Sequence, residues 1–206
     1  MVAVYPRLIK YWREKKMTVK ECVKYAAESL ALDEIAASLK EGGNVAGLSV
    51  TDARELEQLV SCAHSVVNEV ACEYVQMLQS DSVLSGSEGK IPYGKLSHSV
   101  VEVISICSGK YKTPFRPYFG GLDVGKAGEY TVTYAYAPNI SDLSDTFDFG
   151  NGKVTPRNIG YGIAAEYCIR TGETAAAVLW DKRYKDSLQA AVRRGREQKV
   201  RPRRWI

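Results

Sequence analysis

The period of the apolar residues changes twice along the chain, and this limits what it can fold into. After Ser49, the residues Leu56, Leu59, Val60, Ala63, Val66, Val67, Val70, Ala71, Tyr74 and Leu78 recur at the spacing of an amphipathic helix. At Tyr130–Tyr136 the period drops to two. Tyr130, Val132, Tyr134 and Tyr136 alternate there with Thr131, Thr133 and Ala135, as in a two-faced strand. Helical spacing then returns in Ile159, Ile163, Ala164 and Tyr167. Helices on both sides of a β-rich stretch predict an α+β chain.

Local signals fill in the order of elements. Thr18 caps a short helix striped by Cys22, Val23, Ala26 and Leu30, and Ala31–Leu39 is a second helical segment closed by Gly42-Gly43. Ser49 with Asp52 reads as a capping box for the long helix. Gln79–Gly94, rich in Ser and Gly and without periodicity, reads as a loop. Val100–Cys107 is a β-rich run, and Pro114, Pro117, Gly120, Gly121, Gly125 and Gly128 punctuate short strands or turns before Tyr130. Asn139–Gly152 is read as a second polar loop. Thr155-Pro156 then opens a helix that Gly172 ends, and a final helix runs to about Arg194 with the stripe Ala177, Val178, Trp180, Tyr184, Leu188, Ala191 and Val192. So short a connection makes the last two helices antiparallel neighbours.

The expected architecture is therefore mainly a helical bundle with an inserted small antiparallel β-lobe and an extended basic C-terminal arm. Residues 1–95 form the N-terminal helical part, 96–137 the β-lobe, 138–192 the hairpin completing the bundle, and 193–206 the basic tail.

Charge is distributed unevenly. The 206 residues carry 28 Lys and Arg against 24 Asp and Glu, a formal +4. Residues 1–20 hold six basic side chains and one acid (Glu14); residues 193–206 hold seven and one (Glu197); residues 21–192 hold 15 basic and 22 acidic. An acidic body with two basic ends is unlike a uniformly basic nucleic-acid module. The longest uninterrupted apolar run, Ala175–Trp180, is far short of the ~20 residues that cross a bilayer. The early charges Arg7, Lys10 and Arg13 are unlike a secretory signal, so synthesis and use in a cytoplasm are expected. Five cysteines (Cys22, Cys62, Cys72, Cys107, Cys168), four of them in helical apolar patterns and none in a C-x-x-C pair, read as reduced core residues. With only His64 and His98 as histidines, no zinc or other metal site is expected.

Motifs for catalysis fail on context. Gly120-Gly121-Leu122-Asp123-Val124-Gly125-Lys126-Ala127 nearly matches the phosphate-binding loop G-x-x-x-x-G-K-[ST]. Ala127 lacks the hydroxyl that would hold magnesium, and the following residues read as a strand, leaving no helix N-terminus for a phosphate. His64 lies mid-helix, His98 in a polar Ser-His-Ser stretch, and no G-x-S-x-G elbow accompanies either. Asp142, Asp145 and Asp148 are scattered in a loop, where Asp is commonly solvated. No enzymatic activity and no cofactor are expected.

Association is the better-supported theme. Tyr111, Tyr118, Tyr130, Tyr134 and Tyr136 cluster in the β-lobe, and Tyr is enriched at protein interfaces. The tail combines Arg193, Arg194, Arg196, Lys199, Arg201, Arg203 and Arg204 with a terminal Trp205-Ile206. These residues read as a partner-binding arm, Arg pairing with carboxylates and Trp205 filling a pocket.

The run Tyr161-Gly162-Ile163-Ala164-Ala165-Glu166-Tyr167-Cys168-Ile169-Arg170-Thr171-Gly172, then Ala175–Ala177, Trp180-Asp181-Lys182-Arg183-Tyr184 and Arg203-Arg204-Trp205, resembles the C-terminal helical hairpin of tailed-phage head-to-tail connector proteins. The resemblance is carried by residues from about Pro156 onward, and by layout over the whole chain. It implies a structural protein of the virion, made in the host bacterial cytoplasm and placed at the head–tail junction. Such an adaptor forms a ring with copies of itself, commonly a dodecamer, docks on the portal protein, and contacts a tail or stopper (second connector) protein. Genomic DNA would pass its channel without sequence-specific binding, and no membrane is involved. An acidic lining would let the phosphate backbone slide past. The alternative is a DNA-binding module using the basic termini.

Overall fold

The computed structural model describes residues 16–150 and 153–192. Strand β1 (Met17–Thr18) leads directly into α1 (Val19–Ser29). Thr18 and Glu21 close that helix start reciprocally: the Glu21 N–H donates to Thr18 Oγ1 at 3.1 Å and the Thr18 N–H to Glu21 Oε2 at 3.2 Å. The stripe Val19, Cys22, Val23, Ala26 and Ala27 is buried. A short α2 (Asp33–Ser38) and a 3₁₀ turn (Val45–Gly47) precede α3 (Val50–Glu69), whose N-cap Ser49 accepts the Asp52 N–H at 3.1 Å.

The helix does not run on to Leu78. At Val70–Tyr74 it widens into a π turn and then leaves helical geometry, so Leu78 lies exposed on β2 (Met77–Leu84). The loop reading of Gln79–Gly94 is corrected by the same strand and by β3 (Lys90–Pro92), so antiparallel pairing starts at Met77, ahead of residue 96. The physical reason lies on the inward face, where Gln79 and Asp81 stand between the buried Met77 and Val83. Asp81 is held there by hydrogen bonds rather than by apolar contact, and the two polar residues remove the alternation that would reveal the strand.

The remaining strands are β4 (Val100–Ser108), β5 (Tyr111–Thr113), β6 (Arg116–Tyr118), β7 (Gly121–Asp123) and β8 (Glu129–Tyr136). They form a four-stranded antiparallel sheet in the order β2-β8-β4-β5 and a three-stranded one in the order β3-β7-β6. The alternation read at β8 is real: Tyr130, Val132 and Tyr134 face a core with Val83, Ile91, Ile106 and Leu122, while Glu129 and Thr131 face outward. Register shifts in β4 opposite β8 leave Val101 and Ile104 exposed. The tyrosines divide accordingly, Tyr130 and Tyr134 inside, Tyr136 half-buried, Tyr111 and Tyr118 on the surface.

Asn139–Gly152 is not simply a solvated loop. Strand β9 (Thr146–Phe147) pairs with β1, and Ile140, Phe147 and Phe149 are buried in the helical core. The two phenyl rings meet edge-on at 5.4 Å. The chain then enters α4 (Pro156–Thr171) with Pro156 in the first turn and Thr155 as N-cap, Asn158 Oδ1 accepting the Thr155 N–H at 2.8 Å. Gly172, at φ +82°, supplies the left-handed cap that turns the chain into α5 (Thr174–Val192).

Helix α4 packs against α1, α3 and α5, which explains why it is buried on nearly every side. Its glycines allow the close approach: a Cβ at Gly160 would lie 2.8 Å from Tyr25 Cβ, and one at Gly162 2.7 Å from Val66 Cγ1. On α5 the buried residues are Ala177, Tyr184, Leu188 and Ala191, whereas Val178, read from the sequence as part of that stripe, is exposed beside Leu179. Tyr136 packs against both the helical and the sheet core. Together these elements make an α+β fold of helices and antiparallel sheets.

All five cysteines are free. Cys22, Cys62 and Cys168 are buried; burial pushes the Cys22 thiol up and carries that of Cys62 to about 11. Cys72, expected in the core, is exposed on the π turn. A thiol reagent applied to the native protein should therefore modify Cys72 first, and Cys22 and Cys62 only after denaturation, as peptide mass spectrometry would read. Modification of Cys22 at the rate of Cys72 would contradict this packing.

Candidate interaction surfaces

The partner-binding residues read from the sequence, Arg193, Arg194, Arg196, Lys199, Arg201, Arg203, Arg204, Trp205 and Ile206, lie outside the described residues. The other sequence candidates are placed as follows. The glycine-rich segment is a strand-turn-strand: β7, a turn in which the Gly125 N–H donates to Asp123 Oδ1 at 2.8 Å, then β8. The Lys126 carbonyl accepts from Ser85 Oγ and from the Tyr130 hydroxyl, each at 3.1 Å. The turn is thus tied to its own sheet.

His64 is half-buried on α3, 3.0 Å from Asn68 Nδ2. His98 is exposed and stacks on Tyr136, with ring centroids 4.3 Å apart. The loop carboxylates organise backbone. Asp145 Oδ2 accepts the N–H groups of Ser141 and Asp142, both at 2.8 Å, and these hold the Asp145 carboxyl below its ordinary range. Asp142 and Asp148 accept from Leu143 and Gly150 in the same way. Among the described residues no group of three or more His, Cys, Asp or Glu is placed to hold a metal ion, and no helix is long and apolar enough to cross a membrane.

Two surfaces stand out. The first is a groove of about 600 Å³ along α3, walled by Val45, Leu48, Leu56, Val60, Ile140 and Leu143, with Glu57, His64 and Asp142 at its polar positions. The second lies where α1, α4 and α5 meet. Tyr161 and Trp180 stack there at 5.8 Å, 23° from parallel. The Arg183 guanidinium lies 5.0 Å from the Tyr161 ring centre and 5.6 Å from that of Trp180. Arg157 approaches from the helix start, its Nε–H donating to the Tyr161 hydroxyl at 2.6 Å. A cavity of about 250 Å³, lined also by Tyr25, Glu28 and Ser29, opens beside them.

The sequence places Trp180 on the α5 stripe and Arg183 within the resemblance, but gives neither Arg183 nor Arg157 a binding role. The available signal was the i,i+4 spacing of Arg157 and Tyr161 with the i,i+3 spacing of Trp180 and Arg183. No protein-family model matches this chain, and no curated protein matches it.

Proposed function

We propose that the chain is a head-to-tail connector subunit of a tailed phage, a structural adaptor that docks under the portal protein and extends the DNA channel toward the tail. In this reading a helical bundle carries an inserted antiparallel β-lobe and an extended basic C-terminal arm. One observation carries the proposal. Residues of the runs behind the resemblance meet in space, Tyr161 with Trp180 and Arg183, Gly162 with Tyr184. Their spacing thus has a packing reason, the close antiparallel contact of α4 and α5, which supports reading it as a fold signature.

The adaptor assembles as a ring of its own copies, and residues 193–206 reach the portal. Removing those residues is expected to abolish co-sedimentation with portal rings while leaving the circular dichroism spectrum of the helical part in place. Electron microscopy of the full-length protein mixed with its portal should show an added layer beneath it. A full-length protein that ignores the portal sinks the adaptor reading. Salt-sensitive duplex-DNA binding lost on the same truncation would favour a DNA-binding module instead.

A further inference from the structure

The cavity between α1, α4 and α5 is lined by two guanidinium groups that have no counter-charge among the described residues. Among the described residues neither Arg157 nor Arg183 has a carboxylate within ion-pair distance. Glu28, on the cavity wall, is engaged by Lys24 at 3.9 Å. Arg183 lies over Tyr161 and Trp180, so the rings cover its face and its N–H edge is left for a planar acceptor. Arg157 spends its Nε–H on Tyr161 and keeps its terminal N–H groups. Both arginines are solvent-exposed, Arg183 resting on the ring faces and Arg157 on the Tyr161 hydroxyl, so both charges are open to an anion.

We propose that this cavity is a receptor site for one carboxylate side chain, Asp or Glu, presented by a partner protein. Arg157 and Arg183 bind the carboxylate, and Trp180 packs along its methylene stem. The volume of about 250 Å³ suits one side chain. A protein acid is favoured over a nucleic-acid backbone because the lining offers two cations and one carboxylate, Glu28, and not the run of basic residues that successive phosphates need. The site does not depend on the connector reading, since only the described side chains enter it.

The test uses the full chain with Trp12→Phe and Trp205→Phe, which leaves Trp180 as the single tryptophan reporter. A tetraglutamate peptide is expected to change Trp180 fluorescence saturably, and tetraglutamine is not. Arg183→Gln should weaken the apparent affinity about tenfold or more, the effect of losing a charge-assisted hydrogen-bond pair. Arg183→Lys should restore only part, because an ammonium cannot make the planar two-point contact. Arg157→Gln removes the hydrogen bond to the Tyr161 hydroxyl but leaves the Arg183 stack in place, and should also weaken binding while the circular dichroism spectrum keeps its folded shape. The absence of a saturable response to tetraglutamate, or an equal response to tetraglutamine, overturns the proposal. Tighter binding of inorganic phosphate or a duplex oligonucleotide at the same site overturns its assignment to a protein acid.

Discussion

Gly160→Leu is expected to leave the chain largely unfolded, and Gly160→Ala to lower its stability by about 1–3 kcal/mol. In an ordinary helix interior Gly→Ala gains about 1 kcal/mol from propensity. Here the new methyl would sit 2.8 Å from Tyr25 Cβ and 3.2 Å from both the Ala26 nitrogen and the Cys22 carbonyl oxygen. Those are backbone and near-backbone atoms of α1, which no rotamer change can move, so α1 and α4 have to separate. Separation uncovers Cys22, Ala26 and Ile159, all fully buried. Gly162 is crowded differently, by Val66 Cγ1 at 2.7 Å and the Tyr184 ring at 2.9 Å, both side-chain atoms with some freedom to shift. Gly162→Ala should therefore cost less than Gly160→Ala. Urea unfolding followed by circular dichroism measures all three, and a stabilised Gly160→Ala variant would refute the close approach of α1 and α4.

In the sheet core the largest loss is expected from Tyr134→Ala, about 3–5 kcal/mol for deleting a fully buried aromatic ring. The hydroxyl can be separated from the ring. It donates to Asp81 Oδ2 at 2.7 Å and accepts the His98 N–H at 3.2 Å, while the Ser97 N–H donates to the same Asp81 oxygen at 2.7 Å. Tyr134→Phe should cost about 1–2 kcal/mol, because it removes a donor from that carboxylate and strands an N–H.

The same network sets a pH dependence. Burial alone would raise the Asp81 carboxyl, but the Ser97 N–H, the Tyr134 hydroxyl and the Gln79 amide together bring it from 3.8 to about 2. A carboxyl held below its unfolded value stabilises the fold fully above that value and loses its contribution as pH falls from 3.8 toward 2. Burial, then Asp81, raises the Tyr134 phenol to about 12. Its contribution is complete below pH 10 and declines as pH climbs from 10 to 12. Stability measured across the acid range should fall less steeply for Tyr134→Phe than for the parent protein, since its Asp81 keeps one donor fewer. Parallel acid limbs would count against the hydrogen bond.

The candidate surfaces were only partly legible beforehand. Trp180 was visible as a large apolar residue on a stripe, but its stacking on Tyr161 crosses between helices. A pattern of spacings within one element cannot report that pairing. The α3 groove has the same origin, since its walls come from residues 45–48, α3 and residues 140–143. Only α3 among these has a periodicity to read.

What the amino-acid sequence determined alone is whatever one turn of chain can enforce. Thr18, Ser49 and Thr155-Pro156 start helices because their side chains or ring meet backbone groups a few residues away. Gly172 stops one because it tolerates a positive φ, and Tyr130–Tyr134 sort by face because a strand alternates. Tertiary structure decided the rest. Asp81 sits half-buried on the inward face of its strand because Tyr134, fifty-three residues on, supplies a hydrogen bond. Phe147 and Phe149 left a polar stretch for the helical core because β1 gave β9 an edge to pair with. Arg157 and Arg183 came to share one cavity because two glycines let α4 sit among its neighbours. Each of these depends on a partner distant in sequence, and the free energy of such a contact exists only once the chain has closed on itself.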